Sequence, residues 1–222
     1  MKLVPLKYTL PVSNFDTPSE LRRPKRHGDL LPNSIRGICV GPSNAGKTNA
    51  VFSLLIHPNG LRFENVYVCS KSLDQSKYQT LQKILEPIDG ISFFGIRSVE
   101  DIPEKPLPFS VFIFDDLAGS SHTRIQQYFS YARHFNVDCF YIGQTYSRIP
   151  KQLLRDNANF LMVFKQDDKN LRHIYEDHVG VEPGWAKFKE MCAVCWKEPF
   201  GFLTIDKDGN NFRKGFDMIF KE

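Results

Sequence analysis

Short apolar runs alternate with amphipathic segments along most of this chain, from residue 35 onward. Runs rich in β-branched and aromatic residues predict strands at residues 35–40, 65–69, 91–95, 110–115, 138–143 and 160–164. Apolar residues at helical spacing predict helices at residues 48–56, 74–86, 121–134, 150–156, 168–178 and 183–193. Nearly continuous apolar strands separated by helices are typical of α/β proteins, in which helices cover both faces of a mainly parallel sheet.

The two ends of the chain break this alternation. Prolines recur every six to eight residues across residues 1–33, so we expect an extended N-terminal arm there rather than a helix. At the other end, apolar segments at 201–205 and 212–216 flank a polar turn, and residues 199–222 are predicted to form a C-terminal β-hairpin appendage. The core domain is then expected at residues 34–198.

A basic cluster, Arg-Arg-Pro-Lys-Arg-His at residues 22–27, lies within the arm. It is open to several interpretations: a solvated segment, a contact with nucleic-acid phosphates, a contact with a neighbouring subunit, or a nuclear import signal. The arm itself is expected to pack on the core or on another protomer.

The loop between the first predicted strand and helix matches the pattern G-x-x-x-x-G-K-[ST]. Its members are Gly41, Pro42, Ser43, Asn44, Ala45, Gly46, Lys47 and Thr48. The glycines allow the backbone to wrap around phosphates, and Lys47 supplies positive charge to the β- and γ-phosphates. The Thr48 hydroxyl completes a Mg²⁺ shell. The pattern therefore predicts a site for nucleotide phosphates and Mg²⁺.

Two carboxylates follow the apolar strand at 110–115. We predict that Asp115 holds the Mg²⁺ through water and that Asp116 orients or deprotonates the attacking water. Because ligands bind at the carboxyl ends of parallel strands, both motifs should face one crevice. The alternative is a helix cap or a turn. Residues 116–119 also spell D-x-x-G, but the chain has no N-K-x-D, which disfavours a guanine-nucleotide switch.

Gln144 follows the strand at 138–143. Motor ATPases of the additional-strand type place a polar sensor at this point, on a strand between the P-loop strand and the acidic strand. Gln144 is therefore predicted to contact the γ-phosphate or the attacking water, although a strand-end glutamine can also merely satisfy loop backbone.

The order of these motifs resembles the FtsK–HerA superfamily of DNA-pumping ATPases, and within it the packaging ATPases of poxvirus-type viruses, Polinton elements and virophages. The resemblance is carried by residues 41–48, 113–117, 143–150 and 153–158, and it covers about residues 34–180. It implies a RecA-like P-loop NTPase core of the additional-strand type. One departure is that cellular members follow the Mg²⁺ aspartate with Glu, whereas this chain has Asp116.

The resemblance also implies a ring, a hexamer or a pentamer, with ATP at the protomer interfaces. An arginine of the neighbouring protomer would then stabilise charge on the γ-phosphate. Arg148 and Arg155 are the leading candidates for this catalytic role, followed by Arg124 and Arg133.

The function implied by the resemblance is ATP-driven translocation of double-stranded DNA, independent of its sequence, into a preformed viral capsid through the capsid vertex. Lys71, Lys77 and Arg97 are candidates for phosphate contacts. Two alternatives stay open: a viral replicative helicase of another P-loop class, and an ATP-gated capsid assembly factor that does not translocate. A small-molecule kinase is disfavoured because no Arg-rich lid segment is evident.

Composition changes this picture little. The 222 residues are 41% hydrophobic and 24% charged with a net charge of +4, which is ordinary for a globular domain and permits a polyanionic partner without demanding one. No apolar run could span a membrane and the start lacks a secretory signal, so we expect a place inside the host cell, in the nucleus or a cytoplasmic virus factory, or with the virion. Five cysteines, an odd number, indicate buried reduced thiols; a metal site at Cys192 and Cys195 is the lesser interpretation.

Overall fold

The computed structural model describes residues 4, 7–8, 13, 24–115, 117 and 122–221. Within these residues, nine strands form one sheet. Their bounds are β1 Arg36–Val40, β2 Asn65–Ser70, β3 Ser92–Ile96, β4 Ser110–Asp115, β5 Asp138–Gly143, β6 Phe160–Val163, β7 Leu203–Asp206, β8 Asn211–Lys214 and β9 Met218–Ile219.

The α-helices are α1 Lys47–Ile56, α2 Ser76–Leu85, α3 Thr123–Tyr131, α4 Asp168–His178 and α5 Trp185–Cys195. The helices expected from the sequence are therefore present, with two differences. The segment predicted at 121–134 continues beyond α3 as a 3₁₀ turn at Ala132–Phe135, and the segment predicted at 150–156 is a single π-helical turn at Lys151–Arg155. None of the helices in the described ranges is long and apolar enough to cross a membrane.

The strand order is β3-β2-β4-β5-β1-β6-β7-β8-β9. Pairing is parallel from β3 through to β6, and β7 to β9 continue the sheet in antiparallel fashion. Strand β5 lies between β1 and β4, which is the order predicted for a P-loop NTPase of the additional-strand type. The predicted fold class is confirmed.

Helices cover both faces of the sheet, as the apolar strands predicted. Helices α1 and α2 pack on one face, where Val68 and Ile113 point, and α3, α4 and α5 pack on the other. On that second face the rings of Tyr67 and Phe112 stack with their centroids 4.2 Å apart. The ring centroid of Tyr128, on α3, lies 4.4 Å from that of Phe112. Burying aromatic rings of this size contributes much of the hydrophobic stabilisation of the sheet.

The C-terminal hairpin is not an appendage, in contrast to the boundary expected at residue 199. Strand β7 pairs with β6 along its whole length, from Phe160 opposite Asp206 to Val163 opposite Leu203, so the hairpin extends the central sheet. The side chains of β7 are fully covered, and Leu203 and Ile205 belong to the same core as α4 and α5. Pairing with β6 satisfies backbone groups that would otherwise form an open sheet edge.

The last part of the N-terminal arm, residues 24–33, packs on the core. Buried Asp138, at the start of β5, accepts a hydrogen bond from the backbone N–H of Ile35 at 2.8 Å. Its second oxygen lies 3.0 Å from a guanidinium nitrogen of Arg26 and 3.0 Å from Nε2 of His27. Two members of the basic cluster therefore hold the arm to the core, while Arg22 and Arg23 lie outside the described residues.

We predict that Asp138→Ala destabilises the fold. Removing the carboxylate takes the ion-pair partner from largely buried Arg26 and His27 and the acceptor from the Ile35 N–H, and breaking a buried pair of this kind costs about 3–5 kcal/mol. Urea unfolding measures the change in the free energy of unfolding. The matched control is Asp74→Ala, which removes an exposed carboxylate paired with Arg97 and should change stability little. Equal effects of the two substitutions would contradict the assignment.

Candidate active site

The loop between β1 and α1 has the backbone that its glycines predicted. A Cβ at Gly41 would lie 2.4 Å from Cβ of Phe164, so a side chain has no room there. Gly46 adopts a φ of 95° and Asn44 a φ of 62°, both in the left-handed region that glycine and asparagine tolerate. Gly46 is the N-cap of α1 and provides no side-chain hydrogen bond, so the first N–H groups of the helix remain available to an anion.

Lys47 holds its ammonium group over this loop. Its Nζ donates hydrogen bonds to the carbonyl oxygens of Gly41 and Pro42, each at 2.7 Å. The positive charge therefore lies on the concave side of the loop, where the motif predicts phosphate.

Thr48 and Asp115 meet across the sheet. The Thr48 hydroxyl donates to Oδ2 of Asp115 at 2.8 Å, and both side chains are largely buried. The structure thus brings the end of the P-loop and the end of β4 to one crevice, as the strand order required. Asp116, the predicted water-activating residue, lies outside the described residues.

Two neighbours of Asp115 were not identified as site residues from the sequence. The Tyr78 hydroxyl donates to Asp115 Oδ2 at 2.8 Å, and Lys77 Nζ lies 3.1 Å from Thr48 Oγ1 and 3.6 Å from Asp115 Oδ2. The ammonium of Lys77 thus lies inside the crevice in this structure, and its contact with DNA stays a prediction. The sequence feature that could have indicated Lys77 as a site residue is its position at the start of α2, the helix that follows β2. Strand β2 lies next to β4, which carries Asp115.

The donor set at this point fits Mg²⁺. Hydroxyl and carboxylate oxygens are ligands that Mg²⁺ prefers. Thr48 Oγ1 and Asp115 Oδ2 are 2.8 Å apart, so both groups would face the same ion, the carboxylate through water as predicted from the sequence. The approach of the Lys77 ammonium to both oxygens shows that the position favours a cation.

The crevice opens into a cleft of about 880 Å³, a volume within the range of small-molecule sites. Gln144 and Arg148 line this cleft together with the P-loop, which agrees with the position expected for the sensor and brings Arg148 to the wall of its own chain's site. The other described side chains on the wall include Gln75, Lys77, Tyr78, Asp115, Leu117, His122, Tyr141, Thr145 and Phe200.

His122 and Tyr141 add a polar pair that the sequence analysis missed. Nε2 of His122 lies 2.9 Å from the Tyr141 hydroxyl, and both residues line the cleft. Burial lowers the pKa of His122, so its imidazole is held neutral near pH 7, and burial raises the pKa of Tyr141 to about 12. Both groups can donate or accept a hydrogen bond in the cleft without carrying charge.

The structure does not bring Arg155 to the cleft. Its guanidinium pairs with Asp177 at 2.9 Å and lies over the ring of Tyr146, whose hydroxyl contacts Asp177 at 2.9 Å and His178 Nε2 at 2.6 Å. Tyr146 belongs to the motif element at 143–150, so part of that element holds the π-helical turn to α4 rather than facing the nucleotide.

The two secondary arginine candidates differ from Arg148 as well. Arg124 pairs with Glu104 at 3.2 Å, and the side chain of Arg133 lies outside the described part of the chain. Among the basic residues considered for DNA, Arg97 pairs with Asp74 on the surface.

Cys192 and Cys195 are buried in the core between α5 and the sheet, and burial raises the pKa of Cys195 to about 12.

No protein-family profile and no curated protein matches this chain. Among solved structures, the chain is similar to the genome packaging NTPase B204 from Sulfolobus turreted icosahedral virus 2 in complex with sulfate, with a TM-score of 0.59, 12% identity, and coverage of 86% of this chain and 100% of that chain. The complex of that NTPase with ATP-gammaS gives a TM-score of 0.58, 12% identity, and 86% and 100% coverage.

The DNA-packaging ATPase B204 from Sulfolobus Turreted Icosahedral Virus is similar too, with a TM-score of 0.56, 13% identity, and coverage of 83% of this chain and 97% of that chain. At such identity the likeness concerns the fold. It confirms the fold that the motif resemblance implied.

The Tyr146 cluster generates a prediction about pH. Burial, with a smaller effect of Lys207, lowers the pKa of His178 to about 3. Because an unfolded histidine has a pKa of about 6.5, the unfolded state takes up a proton that the folded state does not, and stability is lost as pH falls below about 6.5. The loss from this residue should reach about 2 kcal/mol at pH 5.

Urea unfolding of His178→Gln at pH 7 and pH 5 checks this expectation. The difference in the free energy of unfolding between the two pH values should shrink by about 2 kcal/mol relative to the parent. His134→Gln, which removes an exposed histidine, serves as the control and should keep the parent's difference. The same pH difference in the parent and in His178→Gln would refute the burial effect.

Proposed function

We propose that this chain hydrolyses ATP and uses the energy to drive double-stranded DNA into a preformed viral capsid. The observation that carries the proposal is the contact of Thr48 with Asp115 at 2.8 Å, at the mouth of a cleft that Lys47, Gln144 and Arg148 also line. A hydroxyl, a carboxylate, an ammonium and a polar sensor at one point are the groups that phosphoryl transfer requires.

Each group has a separate task in this proposal. The P-loop N–H groups and Lys47 bind and orient the β- and γ-phosphates, which places the γ-phosphorus for in-line attack. Tyr78 positions Asp115 through its 2.8 Å hydrogen bond, and Gln144 orients the attacking water. A bound Mg²⁺, held by Thr48 and Asp115, would supply charge neutralisation on the phosphates. The role of Asp116 in deprotonating the water stays a prediction.

The coupling to DNA rests on similarity of fold. The solved neighbours are described as genome-packaging proteins, and one of them is a complex with ATP-gammaS. We extend this by proposal to the present chain: a ring of five or six copies, sequence-independent contact with duplex phosphates, docking at a capsid vertex, and a site of action in the host nucleus, in a cytoplasmic virus factory or on the virion.

The first test measures the ATPase rate with and without long duplex DNA, for the parent and for Lys47→Ala. We expect DNA to stimulate the parent, and we expect the variant to lose nearly all activity because the phosphates lose their main positive charge. Lys189→Ala, which removes an exposed lysine on α5, should keep the parent rate.

Other outcomes of this test favour the other functions. ATPase activity that DNA leaves unchanged would contradict the motor and favour the capsid assembly factor. Strand separation on a forked substrate would favour a replicative helicase, whereas translocation along intact duplex without unwinding would reject that class.

A second test concerns Arg148. Since Arg148 lines the cleft of its own chain, we propose that it stabilises γ-phosphate charge in that same site, not in a neighbour's. Arg148→Ala should then lower kcat by about 10³-fold. Rings assembled from a mixture of Lys47→Ala and Arg148→Ala chains should stay inactive, because every site lacks one of the two groups.

The mixing test has a clear contrary outcome. If an arginine acts on the neighbouring protomer, about a quarter of the interfaces in mixed rings regain both groups by chance, and activity returns. Arg172→Ala, an exposed arginine on α4, is the control and should leave kcat unchanged.

A further inference from the structure

Phe200 is an exposed aromatic residue on the wall of the cleft. The residue is 68% exposed, and its Cδ1 atom lies 3.3 Å from the point where a Cβ on Gly46 would be. The ring therefore lies beside the last turn of the P-loop, although Phe200 follows α5 and is far from the loop in sequence.

The backbone at Phe200 is held in an unfavourable conformation. Its φ is 64°, in the left-handed region that an aromatic residue seldom adopts. Conformations of this kind persist where surrounding structure fixes them, and they concentrate at functional positions. With this backbone, the ring of Phe200 points outward at the cleft. The next aromatic residue, Phe202, packs inward, with its ring centroid 5.0 Å from that of Phe164.

The loop that carries Phe200 is anchored on both sides. Before it, the indole N–H of Trp196 donates to the carbonyl of Val163 at 3.0 Å, and Glu198 pairs with Lys214 at 2.7 Å. After it, Gly201 is so close to the core that a Cβ there would lie 1.9 Å from the carbonyl oxygen of Cys195. The exposure of the ring is thus a fixed feature of the surface.

The other described aromatic side chains that line the cleft have different tasks. Tyr78 is buried with its hydroxyl on Asp115, and Tyr141 is buried with its hydroxyl on His122. Among the described residues of the wall, Phe200 is therefore the aromatic ring with a free face beside the phosphate loop.

From these observations we infer that Phe200 stacks on the nucleobase of the bound nucleotide. The inference rests on the proposed function, in that the P-loop takes the phosphates of a nucleoside triphosphate and leaves the base to lie along the cleft wall. An exposed ring gains by being covered with a planar base, and stacking of this kind accepts any base because every base has a π-face. Phe200 then contributes affinity for the nucleoside and not discrimination among bases.

The test compares ATP with inorganic triphosphate, which has no base, by calorimetric titration in Mg²⁺. We use Phe200→Asn because asparagine adopts the left-handed backbone readily, so the fold keeps its loop while the ring is lost. The Kd for ATP and that for GTP should each rise about 10-fold, and the Kd for triphosphate should stay at the parent value. Phe200→Trp should retain the parent affinity for ATP.

The control is Phe109→Asn. Phe109 is also a phenylalanine in the left-handed region, with a φ of 54° and 40% exposure. It directly precedes β4, however, at the amino-terminal end of the strands and away from the cleft. This variant should bind ATP and triphosphate as the parent does, and thermal unfolding verifies that both variants are folded.

The outcomes separate the inference from the function on which it rests. If the parent binds ATP and Phe200→Asn binds it equally well, the stacking role is wrong and the ATP site stands. If the variant loses affinity for ATP and triphosphate alike, Phe200 shapes the P-loop and does not contact a base, which also overturns the inference. If the parent binds neither ligand, the nucleotide site itself is refuted.

Discussion

The hydroxyl of Thr48 and the carboxylate of Asp115 lie 2.8 Å apart although 67 positions separate them along the chain. Their contact depends on the parallel register of three strands. Asp115 pairs with Ile142 of β5, and Ile142 pairs with Cys39 of β1, so the acidic strand and the P-loop strand end at the same level. A slip of one residue in either pairing would turn the side chains of a strand to its other face and separate the two groups.

Contacts at the amino-terminal ends of the central strands help to fix this register. Asp138 at the start of β5 holds Arg26, His27 and the backbone of Ile35, while Asn159 donates to the Ser34 carbonyl at 2.7 Å. These contacts favour one arrangement, because any other separates buried polar and charged groups from their partners at a cost. The amino-terminal ends of these strands are thus held by buried contacts, whereas their carboxyl-terminal ends face the open cleft.

Much of the fold was predictable because its signals are local. The apolar runs marked the parallel strands, the helical spacing marked the α-helices, and a single motif placed Lys47 and Thr48 at the start of α1. The position of Gln144 directly after β5, the strand between β1 and β4, followed from its motif and agrees with the observed strand order. The attachment of the hairpin to β6 was missed, because strand pairing between distant segments leaves no mark in either segment.

The remaining site residues depend on which elements are neighbours in space. Tyr78 and Lys77 reach Asp115 because β2 lies next to β4, and Phe200 reaches the P-loop because β7 adds to the sheet beside β6. The sequence by itself determined the P-loop, the acidic strand and the α/β alternation, since each is a short pattern with its own backbone and solvation requirements. Only the tertiary structure decided which side chains complete the cleft, because proximity across a sheet is set by strand order and register and not by spacing along the chain.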